Sequence, residues 1–391
     1  MVVVGGGRWA RVLAGTLVSL LPEGASLTVC STRNPHGMSA WVHHERLDGR
    51  IQVSDRLDRS LEGAGAAIIA NALKDHESAA RTAIEAGARV LIEKPVATCS
   101  SAARGLEARA QAVGTRIAAA HVFLYASYLD RFAEKVQGLG PIQRTIVEWA
   151  DPACEIRYGE SKRYDSSVPV FADCLPHVVS ILGRLGVHGP QTILDVVVDR
   201  GGASVELLLK IGATESRISV ARNSARRERH IQVITSGGRV ELDFATEPGV
   251  IRVASHAMVG DEDWDRGPRP VARMLGSFLS WAAGGSWDSR LDSAVAIRAC
   301  ELIEATSTVY GAELTRWIAH ELRRGAMSDS LRYAIEEAAS SLGATSPCVP
   351  DLQRLHATIG NLDDSDRLRR TVEEGDPARL VSLLESVADR S

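Results

Sequence analysis

The chain has 391 residues, 45% of them hydrophobic and 24% charged, with a formal net charge of -4. At ~150 residues per domain there is room for two domains and a small third, with the composition of an ordinary globular protein. Without a basic excess neither nucleic acid nor a membrane surface is an expected partner, and no apolar stretch approaches the roughly 20 residues of a spanning helix.

The opening Met1-Val-Val-Val-Gly-Gly-Gly lacks a cationic segment ahead of a long apolar one, so it does not read as a secretory signal. Cys30, Cys99, Cys154, Cys174, Cys300 and Cys348 stand singly, and no Cys/His spacing suits a metal. Buried, reduced thiols in a cytoplasmic protein are the expectation.

In chain order, Val2 to Val4 reads as a strand and Arg8 to Leu21 as a helix, with Val12, Leu13, Leu17, Leu20 and Leu21 at helical spacing. Strands follow at 26–31 and 66–70, a helix from about His76 to Ala86, a strand at 89–92, a helix at about 101–113 and a strand at 116–120. Such alternation predicts a doubly wound parallel sheet, an α/β Rossmann domain over 1–122. Beyond residue 140, strands at 142–149, 192–198, 203–211, 217–221, 230–235, 239–244 and 250–254 predict a mostly antiparallel sheet in an α+β substrate and oligomerisation domain over 123–325. A helix at 171–185 interrupts it, and helices at 271–283 and 293–309 follow. Residues 326–391 read as a helical extension, with Asp351, Asp363 and Asp376 as start signals.

Gly5-x-Gly7-Arg8-Trp9-Ala10 lies between the first strand and the first helix. The first glycine allows a tight turn, the second lets backbone approach a pyrophosphate, and Ala10 keeps strand and helix close. Helix N-terminal amides then face the anion. A dinucleotide is the expected cofactor. An NAD-type acid is absent at the end of the second strand, where Ser31, Thr32 and Arg33 stand instead. A guanidinium and two hydroxyls suit a 2′-phosphate, so NADP(H) is favoured over NAD(H). The competing possibility is a solvated loop.

The strand Val90-Leu91-Ile92 ends in Glu93-Lys94-Pro95. Charge at the end of a buried strand is costly unless something uses it, and ligands of open parallel sheets bind beyond the carboxyl ends of the strands. Together with the glycine turn, this segment resembles the Gfo/Idh/MocA oxidoreductases (glucose–fructose oxidoreductase, inositol dehydrogenase and relatives). The resemblance covers about residues 1–315 and is most specific over Ala79 to Pro95. It implies an N-terminal Rossmann domain followed by an α/β domain with a largely antiparallel sheet. It implies a homodimer or homotetramer, and a cofactor-covering loop at Asn71 and Ala72 with His76. Ala72 stands where the family usually has proline.

A second match is Asp173-Cys174-Leu175-Pro176-His177, since the family commonly carries Asp and His four residues apart here. On a helix those two share a face. Pro176 is best tolerated in a first turn, which suggests a helix starting later than 171. A capping Asp and a satisfied His are the structural alternative. The chemistry suits the residue types: Lys94 polarises a carbonyl and donates a proton, His177 shuttles protons, Asp173 orients His177 or holds a substrate hydroxyl, and Glu93 supports Lys94 or the cofactor.

The run His121-Val122-Phe123-Leu124-Tyr125 departs from the Asn and Arg often found there in the family. His121 and Tyr125 are substrate candidates, with packing as the alternative. Tyr164, in the basic segment Arg157 to Tyr164, is another, with a solvated loop as the alternative. The expected activity is NADP(H)-dependent hydride transfer at a carbonyl or hydroxyl carbon, most of all of a modified or nucleotide-linked sugar. The alternatives are a C=N reductase of natural-product assembly and a non-catalytic NADP-binding regulator.

Overall fold

The structure is a computed structural model that describes residues 1–157, 160–161, 168–324 and 328–341. Its contacts divide the chain into two units. The first is assembled from Met1–Glu134, Pro176–Gly186 and Val259–Glu301. The second holds Lys135–Leu175, Val187–Met258 and the described residues from Leu302 onward.

The first unit opens with β1 (Val2–Val4), α1 (Arg8–Leu20), β2 (Leu27–Cys30), α2 (Pro35–His44), β3 (Ile51–Ser54) and α3 (Leu57–Leu61). It continues with β4 (Ala66–Ile69), α4 (Leu73–Glu85), β5 (Arg89–Ile92), α5 (Ser100–Ala112), β6 (Ile117–Ala119) and α6 (Ser127–Gln137). The strands form one parallel sheet in the order β3-β2-β1-β4-β5-β6. The order reverses between β1 and β4, which is where such sheets bind ligands.

Alternation along each strand supplies both faces of the sheet. Val2, Val4, Ala67, Ile69, Val90, Ile92, Ile117 and Ala119 pack with Ala79, Ala83, Ile84, Ala103 and Leu106 of α4 and α5. Val3, Leu27, Val29, Ile68, Leu91 and Ala118 pack with Leu13 and Leu17 of α1, Met38 of α2, and Met274, Leu275 and Phe278 from far along the chain. Those last three are why the segment after residue 258 belongs to this unit.

The second unit holds β7 (Ile142–Pro152), the two-residue strands β8 (Ile156–Arg157) and β9 (Glu160–Ser161), and the start of α7 (Val170–Arg184). Then come β10 (Gln191–Asp199), β11 (Ser204–Ile211), β12 (Thr214–Ser224), β13 (Glu228–Thr235), β14 (Gly238–Asp243), β15 (Val250–Val253) and β16 (His256–Val259). The order is β10-β11-β12-β7-β13-β14-β15-β16. Its described pairings are antiparallel except for β7 with β12. One face is apolar and buried (Val205, Leu207, Leu209, Ile218, Val220, Ile231, Val233, Val240, Leu242). The helices α8 (Pro270–Ala282), α9 (Ser293–Arg323) and α10 (Asp329–Ser341) complete the described chain.

The expected fold class holds: a parallel Rossmann-type sheet, a mostly antiparallel second sheet and C-terminal helix. Three expectations need correction. Helix α4 starts at Leu73 rather than His76. Helix α9 runs on to Arg323 rather than ending at Val309, carrying Gly311 within it. Helix α7 starts at Val170 and runs through Pro176, so tertiary packing of Phe171, Leu175 and Val178 overrides the proline's local preference. The elements α2 and β3 gave weak periodicity, although Asn34, whose side chain accepts from the Gly37 amide, and Pro35 are an ordinary helix start. Of the cysteines, Cys30, Cys174 and Cys300 are buried, whereas Cys154 is exposed and Cys99 half-exposed. The proposed helix starts at Asp351, Asp363 and Asp376 lie outside the described residues. No described helix is long and apolar enough to cross a membrane.

Candidate active site at the end of the parallel sheet

The turn after β1 is shaped by what surrounds each glycine. Gly5 has φ +154, and a Cβ there would stand 2.5 Å from the Ala70 carbonyl oxygen. A Cβ on Gly6 would overlap the Ser31 hydroxyl, which would have to turn away to admit it. A Cβ on Gly7 would meet nothing within 4 Å. Gly7 is also the N-cap of α1 and offers its first amides no side-chain cap. Open space over uncapped helix amides is what a pyrophosphate needs. Ala10 is fully buried against the same turn, while Arg8 and Trp9 are half-buried beside it.

At the end of β2, Ser31 points inward. It is 1% exposed, and its hydroxyl has no hydrogen-bond partner. Thr32 and Arg33 are exposed. Arg33 Nη2 donates to Asp75 Oδ2 at 2.5 Å, across to the first turn of α4. Asp75 carries no local signal in the sequence, since it stands 42 residues from Arg33.

The loop after β4 and the segment after β5 are tied together by His76. Its Nδ1 faces the Pro95 carbonyl at 2.8 Å and its Nε2 faces the Asn71 carbonyl at 3.1 Å. Burial lowers the His76 pKa and Lys94 pushes the same way, against the pull of the two carbonyls and Asp75. A neutral ring donates to one of these carbonyls, whereas only the protonated ring, with an N–H on both nitrogens, donates to both. Asn71 Nδ2 donates to the Asp75 carbonyl at 3.3 Å, while its buried Oδ1 has no partner. Ala72 is the N-cap of α4, with no side-chain cap.

Glu93 is 7% exposed. Burial pushes its carboxyl upward, against a hydrogen bond from Trp9, the charge of Lys94 and the Lys94 backbone amide, which donates to Oε2 at 3.2 Å. Its acceptors are thus turned to the protein, in keeping with a supporting role. Lys94 is half-buried, and its charge reaches both Glu93 and His76. The structure therefore brings Gly5, Gly7, Trp9, Ser31, Asn71, His76, Glu93 and Lys94 to one end of the parallel sheet.

His177 belongs to the same unit. Its ring meets Phe123 edge-on, with centroids 5.0 Å apart, in the segment that follows β6. Asp173 lies one turn earlier on α7 and belongs to the second unit, where its Oδ2 is 3.9 Å from Arg222 Nη2. Arg222 was also missed. Its signal was period two, since it continues the buried face Ser216, Ile218, Val220 of β12.

The substrate candidates fare differently. His121 is 0% exposed, and burial together with Arg298 lowers its pKa to about 4. Tyr125 is 1% exposed, donates to Asp288 Oδ2 at 3.3 Å and lies under Arg290. Both are core residues, and the apolar run that contains them accounts for their burial. Tyr164 lies outside the described residues. Among the described residues no group of three His, Cys, Asp or Glu could hold a metal ion.

The observations test whether a nicotinamide dinucleotide fits. Gly7 is open, the α1 amides are uncapped, and Ser31 Oγ and Asn71 Oδ1 are buried polar atoms without partners around the turn. The comparisons with known proteins agree. Residues 1–121 match the GFO_IDH_MocA family, an oxidoreductase family with an NAD-binding Rossmann fold. Residues 1–121 thus form an NAD-binding Rossmann domain of the Gfo/Idh/MocA type.

Among solved structures, UDP-N-acetylglucosamine 3-dehydrogenase GnnA from Acidithiobacillus ferrooxidans is 18% identical, with a TM-score of 0.61 over 76% of this chain and 93% of its own. KijD10, a 3-ketoreductase from Actinomadura kijaniata in complex with TDP-benzene and NADP, is 18% identical, with a TM-score of 0.63 over 78% of this chain and 95% of its own. At such identities the likeness is one of fold. No curated protein matches the chain.

Proposed function

We propose that the chain is an NADP(H)-dependent oxidoreductase acting at a carbonyl or hydroxyl carbon of a modified or nucleotide-linked sugar. The observation that carries this reading is Lys94, half-buried at the end of β5, backed by Glu93 and His76 and in one unit with the open Gly7 turn. A nicotinamide bound there would supply or accept the hydride. Lys94 polarises the carbonyl oxygen and gives it a proton, at a site where Glu93 and His76 fix the local charge. His177 exchanges that proton with solvent, and Asp173 orients His177 or holds a substrate hydroxyl. Gly7 and the α1 amides hold the pyrophosphate, with Asn71 and Ala72 in the covering loop. Arg33 leaves Asp75 to meet the 2′-phosphate. An exposed pair of this kind is worth about 1 kcal/mol or less, so a phosphate dianion can displace it. The activities named for GnnA and KijD10 support the choice of a nucleotide-linked sugar, and the NADP in the KijD10 complex supports the choice of cofactor.

The test is hydride transfer from NADPH and NADH to a panel of UDP- and TDP-linked ketosugars and cyclic imines. Turnover on the ketosugars, lost in Lys94→Ala and His177→Ala while NADPH still binds, is the expected result. Wild-type kcat in both variants would falsify the mechanism. Turnover confined to imines would make the chain a C=N reductase, and binding without turnover on the whole panel would make it a regulator. An unchanged preference between NADPH and NADH in Arg33→Ala would remove Arg33 from the cofactor site.

A further inference from the structure

The C-terminal helix α10 is docked by an unusual fit. The turn Arg200–Gly202 between β10 and β11 has Gly201 at φ +67 and Gly202 at φ +93. A Cβ on Gly201 would overlap the Ser330 carbonyl oxygen of α10, and one on Gly202 would overlap the Tyr310 hydroxyl and stand 3.1 Å from Glu337 Oε1. The helix therefore lies directly on backbone, which only glycine in this conformation allows.

What α10 brings with it is polar and buried. Glu337 is 1% exposed and Tyr333 is 8% exposed, and Tyr310 of α9 beside them is 3% exposed. The Tyr310 hydroxyl donates to Glu337 Oε1, and Tyr333 also hydrogen-bonds the Glu337 carboxylate. Arg222, 5% exposed, donates from Nη1 to the Tyr333 hydroxyl at 3.5 Å, and its Nη2 stands 3.9 Å from Asp173 Oδ2. A buried guanidinium needs partners on its several donors. Here one side is met by α10 and the other by the first turn of α7.

We infer that Tyr333 and Glu337 of the C-terminal helix are positioning residues that hold Arg222, and through it Asp173, in place. The inference rests on the reading of Asp173 as part of the reaction, but its first test does not need the substrate. The variants Tyr333→Phe and Asp173→Asn keep size and shape while the first removes a hydroxyl from beside Arg222 and the second a negative charge. Urea unfolding of the wild type, both single variants and the double variant forms a cycle. The double variant should unfold with an equilibrium constant at least about fivefold above the product of the two single effects, because Arg222 then loses the Tyr333 hydroxyl and the Asp173 charge together. In an Arg222→Gln background the excess should vanish. Effects that multiply within twofold, or an excess that survives without Arg222, would overturn the inference, since a helix that merely packs would leave the two sites independent.

In the reaction, Tyr333→Phe should lower kcat several-fold and leave the NADPH KM unchanged. An unchanged kcat beside a coupled cycle would remove the positioning role. A coupled cycle with full turnover in Asp173→Asn would instead leave the network standing and sink the catalytic reading of Asp173.

Discussion

Two buried carboxylates mark two different regions of this molecule. Glu93, at the end of the parallel sheet, is met by the Trp9 indole, the next backbone amide and Lys94. Glu337, under the antiparallel sheet, is met by two tyrosine hydroxyls and lies beside Arg222. The chemistry is alike: a carboxylate out of water, aromatic donors and one cation. The difference is what faces outward. Around Glu93 the cation is half-buried and adjoins an open glycine turn, so a ligand can reach it. Around Glu337 the cation is itself 5% exposed and is shared with Asp173. The first arrangement suits chemistry and the second suits holding a side chain still.

The sharpest way to break that comparison is to remove a cation from the first region. Lys94→Ala should lower kcat by about a hundredfold to ten-thousandfold, the usual worth of a positioned proton donor. NADPH affinity should stay within a few-fold by fluorescence titration. Tyr333→Phe, in the second region, should retain a substantial fraction of turnover. Equal losses in the two variants would mean that the regions do not divide the work as their exposure suggests.

His121 tests the first region from within, as a buried base where Glu93 is a buried acid. Burial and Arg298 hold its folded-state pKa at about 4, below an ordinary histidine near 6.5. Its contribution to stability is complete above the unfolded value and is lost as pH falls through the folded one. A shift of that size corresponds to roughly 3 kcal/mol between about pH 6.5 and 4. His121→Leu should therefore lose less stability than the wild type over that window in parallel urea titrations. Parallel curves would show that His121 does not titrate as its burial requires.

The first region was legible and the second was not, for reasons that lie in the chain. Gly5 to Ala10 and Val90 to Pro95 are local signals, each a strand running into chemistry. The residues they need lie within a few positions or at the ends of neighbouring parallel strands. Ser31 was found the same way, although its inward direction depends on Gly6 and could not be read. Asp75 was missed because its partner Arg33 comes from a different strand end. In the second region Arg222, Tyr310, Tyr333 and Glu337 come from three distant elements, and each alone looks like an ordinary residue of a strand or helix. For His121 and Tyr125 the sequence leaves substrate and packing both open, because polar side chains after a strand suit either. Their fate was decided by the packing of the loop after β6, which no spacing shows.

Glycine separates the regions at a smaller scale. Gly5→Ala and Gly202→Ala both place a side chain at positive φ against close neighbours, a strain of about 1–3 kcal/mol before any steric overlap. Both should lower Tm. Gly5→Ala should also abolish NADPH binding, since the turn it distorts carries the cofactor. Gly202→Ala should leave that binding intact and loosen α10, seen as faster amide exchange over 329–341. Loss of NADPH binding in Gly202→Ala would mean that this turn does more than seat α10.

The smallest effect concerns the carboxylates themselves. Burial raises both Glu93 and Glu337 above the ordinary carboxylate value, and their hydrogen bonds and cations only partly offset it. An acid raised in the folded state contributes stability that is present below its unfolded pKa and lost as pH rises through the folded one. Glu93→Gln and Glu337→Gln should each become more stable relative to wild type as pH rises from about 4.5, the glutamine oxygen still accepting the aromatic donors. Retention of a carboxylate that costs stability is understandable where it sets the charge of a neighbour, Lys94 in one case and Arg222 in the other. If stability rises but kcat falls in both variants, both carboxylates serve function at the expense of the fold. If Glu337→Gln gains stability with no loss of kcat, the Tyr333 hydroxyl holds Arg222 on the α10 side without the Glu337 charge.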